Sequence, residues 1–149
     1  MERVIKGQLA ALKSAAALSN VRDADIYATA NLNLVPEGVK SPFIAVKDGP
    51  VTVRELTCNL IEKTGRSTVA VYVQLDKKEA SIIGDDSASK KGVLEIAGDV
   101  EGVLRGNLLS VSGMQAAMLN GSTESETFLN ADGTKILRKK INITYVWEE

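Results

Sequence analysis

The run from Arg66 to Leu75 constrains this chain most: Val69, Val71, Val73 and Leu75 alternate there with Thr68, Tyr72 and Gln74. A two-residue period puts the apolar side chains on one side of a strand and the polar ones on the other. Such a strand belongs in a sheet with one covered face and one half-polar face, an arrangement that favours antiparallel pairing. A second run with the same period lies at Lys135 to Trp147, where Ile141, Ile143, Tyr145 and Trp147 alternate with Lys140, Asn142 and Thr144.

Two segments carry the helical period and can cover that sheet. From Glu2 to Leu18, Val4, Ile5, Leu9, Leu12 and Ala16 recur at spacings of three and four, with Asn20 as terminator. From Lys90 to Arg105, Val93, Ile96, Ala97, Val100 and Leu104 form an apolar stripe, and Ser89 is the candidate N-cap.

Shorter elements lie between them. Val21 to Tyr27 reads as a short strand or an extended connection, and the Asn/Pro/Gly-bearing stretch 31–38 as loop. Pro42 precedes a strand at Phe43–Val46, Lys47-Asp48-Gly49-Pro50 reads as a turn, and Val51 to Leu60 as the next strand. Residues 76–89 lack a period and carry many charges and serines, which predicts a long mobile loop. Asn120-Gly121 and Asp132-Gly133 are hairpin signals that divide a strand at 112–119, a polar arm at 122–130 and the terminal strand. The expected fold is α+β over residues 1–149 as a single domain. It has a mainly antiparallel sheet, an N-terminal helix, a second helix packed on one face, and a C-terminal β-meander.

Composition narrows the function classes. Among 149 residues, 18 basic and 19 acidic side chains leave a net charge of −1, without the basic excess of a typical nucleic-acid binder. There is no histidine, which removes the commonest metal ligand and general base together. The one cysteine, Cys58, forms no intramolecular disulfide and is expected to be buried and inert. Met1–Lys6 lacks the apolar run of a signal peptide, and no apolar run approaches a membrane span.

Catalytic motifs are missing: no glycine-rich phosphate loop, GxSxG, HExxH or CxxC pair occurs. The carboxylate pairs Asp23/Asp25 and Asp85/Asp86 read as solvated surface charge. No cofactor or metal site is expected, and an enzyme would have to build acid–base chemistry from carboxylates, Lys or Tyr alone. With 4% aromatic residues, no aromatic cluster is expected to build a ligand pocket.

What remains points to contacts with other proteins. The charged loop holds Lys77, Lys78, Asp85 and Asp86 around Ile82 and Ile83, and the polar arm holds Phe128 and Leu129. These apolar residues are either satellites of the core or anchors that a partner buries. Gly98, Gly102 and Gly106 line up on one side of the second helix, for close approach to the sheet, for fraying where Gly106 ends the helix, or for close packing against another subunit.

In layout the chain resembles the tail terminator (tail completion, head–tail joining) proteins of tailed bacteriophages. The residues that carry the likeness are the amphipathic first helix, Pro42-Phe43-Ile44-Ala45-Val46, the alternating strand opened by Arg66, and the 90–105 helix. The closing strand Ile141-Asn142-Ile143-Thr144-Tyr145 completes it. The resemblance implies a virion protein, assembled in the bacterial cytoplasm, that forms a hexameric ring at the head–tail junction. The ring caps the tail tube, ends its polymerisation and meets the head connector, while DNA passes through the lumen. A near-neutral chain suits a passage to which DNA must not stick. The long 76–89 loop and the acidic 122–130 arm depart from that pattern and leave a stopper or other neck protein open. A monomeric module for a small ligand or peptide is the alternative of a different class.

Overall fold

The computed structural model describes residues 1–76, 78–85 and 90–149, with Lys78 described by its backbone alone. The elements are α1 (Glu2–Ser14), β1 (Ile26–Ala28), β2 (Phe43–Thr57), β3 (Leu60–Gln74), α2 (Lys78–Ile83) and α3 (Val93–Leu104). They continue with β4 (Met114–Ser122), β5 (Glu126–Leu129) and β6 (Lys135–Glu148). The strands form one sheet in the order β1-β2-β3-β6-β4, with β5 also on β6. Among the described residues, β1 and β2 run parallel and the other strand pairs are antiparallel. This is the expected α+β architecture.

The two alternating runs pair with each other at the centre. Val69 lies opposite Ile141, Val73 opposite Leu137 and Gly65 opposite Tyr145. Their apolar sides face α1 and α3 and, with Ile44, Val46, Ile96 and Val100, make a fully buried core. Gly65 is required there by space: a Cβ would stand 2.8 Å from the Trp147 ring.

α1 stops at Ser14, a turn earlier than its pattern suggested, and a 3-10 turn at Ala16–Leu18 follows. Its deepest positions are Val4, Gln8 and Leu12, so a polar residue holds the middle of the buried stripe. Gln8 Nε2 donates to Ser67 Oγ at 2.8 Å. Among the described residues, neither the Gln8 carbonyl oxygen nor the Tyr145 hydroxyl has a partner in good geometry. Burial pushes the Tyr145 phenol up, and a loose approach of Gln8 opposes that rise only in part.

Two of the three expected turns fall elsewhere. Asp48-Gly49-Pro50 is not a hairpin turn but a bulge within the continuous strand β2, between Asp48 and Val51. A Cβ on Gly49 would stand 2.8 Å from the Arg66 carbonyl oxygen, so the glycine serves close strand approach rather than chain reversal. The chain reverses instead at Cys58-Asn59, with Asn59 at φ 71°, which leaves Cys58 exposed rather than buried. Asn120-Gly121 likewise lies inside β4, as its second bulge. Asp132-Gly133 does close the β5–β6 hairpin, with Gly133 N–H bonded to Asn130 O at 2.9 Å.

α3 begins at Val93 with Gly92 as N-cap, so it is shorter than 90–105; Ser89 lies outside the described residues. Tight packing sets that start, since a Cβ on Gly92 would come within 2.3 Å of Ile82 O. The expected stripe Val93, Ile96, Ala97, Val100 and Leu104 is the buried one.

Candidate interaction surfaces

The expected loop 76–89 contains the helix α2 at Lys78–Ile83. Ser81, fully buried, donates to Gln74 O and accepts the Asp76 N–H, tying α2 back to the end of β3. An antiparallel bridge joins Asp85 to Lys90, and Lys90 Nζ reaches Asp76 at 2.9 Å. Ile82 packs against the main core, whereas Ile83 is 59% exposed. Lys77 and Asp86 lie outside the described residues, as does the Lys78 side chain.

Gly98 and Gly102 both lie on the exposed side of α3, and a Cβ on either would meet nothing within 4 Å. Close approach to the sheet therefore does not explain them. The buried stripe occupies the opposite side of the helix, and four-residue spacing keeps the glycines together facing out.

The second face of the sheet holds a small aromatic layer that composition did not suggest. Phe43 stacks on Tyr72 with ring centroids 4.5 Å apart, flanked by Tyr27 and by the edge of Phe128. Loop residues Leu32, Val35 and Val39 cover it. Arg138, 7% exposed, holds this layer together. Its guanidinium sits 4.8 Å from the Phe128 centroid and donates to Leu32 O, Asn33 Oδ1 and Glu126 Oε1. Burial would raise the Glu126 carboxyl, but Arg138 and Lys140 outweigh it and hold the group below its usual value. Phe128 is thus half-buried inside its own chain, while its neighbour Leu129 is 63% exposed.

Beyond the aromatic layer, the same face is an open polar hollow lined by Arg66, Thr68, Asn120, Asn142 and Thr144. Its groups largely satisfy one another: Thr68 Oγ1 donates to Asn142 Oδ1, and Asn120 to Thr144. Among the described residues, the hollow is lined by side-chain amides and hydroxyls with the Arg66 cation.

Asp25 departs from its surface reading. It is 2% exposed, clasped by Arg22 at 2.7 and 2.9 Å and by the Lys40 N–H at 3.0 Å. The Arg22 bond chiefly holds its carboxyl below the usual range, against burial. Both its oxygens are committed to shaping the chain around β1, so the pair with Asp23 is no catalytic dyad. Among the described residues no cluster of three or more His, Cys, Asp or Glu could hold a metal, and no helix is long and apolar enough to cross a membrane.

The structure adds two features absent from the sequence reading, both at the edges of the sheet. β2 pairs with β1 only over Ile44–Val46, so its far half borders nothing on that side among the described residues. β4 closes the other end of the sheet and pairs only with β6. A signal for each was present: Val51 and Val53 alternate, and Met114–Ser122 has no charged residue.

No protein-family model and no curated protein sequence matches this chain. Among solved structures, a chain from the virion of a native gene transfer agent (GTA) particle has the same fold, with a TM-score of 0.62 and 13% sequence identity. The match covers 98% of this chain and 95% of that one.

Proposed function

We propose that this chain is a structural virion protein of a tailed, phage-type particle, and within it the ring that caps the tail tube. In that role it ends tube polymerisation and joins the tail to the head connector at the head–tail junction, with DNA passing through the lumen. The reading is carried by the fold shared with a GTA virion chain over nearly the full length of both. It is supported by a sheet that, among the described residues, leaves the far half of β2 and the outer side of β4 unpaired, because a ring subunit needs two different surfaces on opposite sides. The contacts to tube and connector are assigned to exposed groups on the expected interface: Ile83, Leu129 and the glycine side of α3 at Gly98 and Gly102.

The test is deletion of the gene from a producing genome, followed by electron microscopy of the particles. Loss of a tube cap yields tails of uncontrolled length that carry no heads. Tails of normal length without heads would instead assign the chain to a stopper or other neck protein. Normal particles would refute the structural role.

A further inference from the structure

The open edges have matching form. On β2, Val51–Glu55 pairs regularly with β3 between two bulges; on β4, Ala116–Leu119 pairs regularly with β6 between two bulges. Backbone polarity follows from the ladder. Ile61 and Glu149 exchange N–H···O bonds, at 3.1 and 2.9 Å, so the odd-numbered residues of β3 spend their amides on β6. Their partners across the sheet, Val51, Val53 and Glu55, therefore turn N–H and C=O to the open side. By the same alternation Tyr145 and Ile143 bond to β3, which leaves Ala117 and Leu119 of β4 with outward amides.

The two edges are guarded unequally: β2 carries Pro50, Arg54 and Glu55 beside its exposed valines, whereas the regular run of β4 is limited only by its flanking bulges. Natural edge strands carry charges or proline to prevent pairing, yet Met114–Ser122 contains neither. Val53 is 61% exposed, Val51 38% and Met118 47%. Val51 lies on the helix side of the sheet, because its partner Gly65 touches the Trp147 ring there. Further along β2, a groove is lined by Met1, Ile5, Leu9 and Val46 together with Lys6 and Asp48. On β4 the helix-side residues of the regular run are Ala117 and Leu119, which pack on the core beside Tyr145 and Ile143.

We infer that β4 of one copy adds to the free half of β2 in the next copy, so that the sheet continues from subunit to subunit. Three antiparallel steps separate β2 from β4 within the sheet, so a copy facing the same way brings the two strands together antiparallel. That register sets Val51 and Val53 beside Ala117 and Leu119 on the helix side, apolar against apolar. Thr52 and Arg54 then meet Ala116 and Met118 on the other side, and Arg54 stays paired to Glu62 of its own chain at 3.3 Å. Because the two edges lie at opposite ends of one sheet, the contact is heterologous and propagates to a closed ring or an open filament. The inference rests on the ring reading for closure alone; the edge pairing can fail or hold separately.

Val53→Pro and Ala117→Pro each remove one outward N–H while leaving the internal ladder bonds in place. Light scattering after size exclusion, over a range of concentrations, reads the association. The unaltered chain is expected to form an oligomer, and each variant to shift its midpoint by about tenfold or more. The lysine variants Val53→Lys and Ala117→Lys serve if a proline prevents folding. Mixing the two variants leaves one good interface per pair, so dimers form and larger species do not. An oligomer that survives both substitutions overturns the edge pairing and leaves the ring reading intact. A chain that stays monomeric at every concentration overturns self-pairing of the edges, while the tail-length phenotype decides the ring reading on its own.

Discussion

Replacing Arg138 by methionine would show whether one buried guanidinium ties the covering loop to the sheet. Two of its bonds go to the loop, to Leu32 O at 3.2 Å and Asn33 Oδ1 at 2.7 Å, and a third goes to Glu126 at 2.9 Å. Each charged hydrogen bond is worth about 1.5–3 kcal/mol. The ring contact with Phe128 adds about 1 kcal/mol. Glu126 is 43% exposed, so solvent limits that ion pair to about 1 kcal/mol or less.

The sum overstates the loss. Leu32 O keeps the Tyr72 hydroxyl at 2.6 Å, Asn33 and Glu126 regain water, and methionine retains much of the apolar stem. The expected cost is about 2–4 kcal/mol, read as a lower urea midpoint with unchanged slope. Faster proteolysis within residues 29–41 should accompany it. Arg138→Lys keeps the charge but not the fork, so it should recover less than half of the loss. A cost below about 1 kcal/mol for Arg138→Met would refute the claim that this side chain holds the second face together.

Two further outcomes follow from the geometry. Gly98→Ala and Gly102→Ala should each stabilise the isolated subunit by about 0.5–1 kcal/mol in denaturant unfolding, because the added methyl meets open space in a helix interior. Destabilisation would mean that α3 faces something other than solvent there. The depressed Asp25 carboxyl makes stability pH-dependent in acid: its contribution is full above the unfolded value of about 3.9 and disappears as pH falls through the lower folded value. Urea midpoints measured down that range should fall more steeply for the native chain than for Asp25→Asn.

Much of the architecture was legible because it rests on local periodicity. The alternation in 66–75 and 135–147 and the stripe in α3 each specify one buried side, and those sides met in the core. Periodicity also located α1, but not Gln8 in its buried stripe, since a polar residue is tolerated there only because Ser67 of β3 receives its bond. Turn chemistry was less decisive. Asp-Gly and Asn-Gly permit reversal without requiring it: Gly121, at φ 109°, and Gly49, which lets Arg66 approach closely, both lie in bulges of continuous strands. Cys58 became exposed by the same shift, because the reversal moved to Cys58-Asn59.

The fold class, the central strands and the stripe of α3 follow from spacings within a dozen residues, so local pattern was enough to specify them. The sheet order, the aromatic layer of Tyr27, Phe43, Tyr72 and Phe128, and the burial of Arg138 among groups up to 106 residues away emerged from packing of the whole chain. That packing also decided which strands end the sheet, and hence where unpaired backbone is left. Strand pairing is a long-range choice, settled by which apolar sides can be covered together, and no local pattern carries that information.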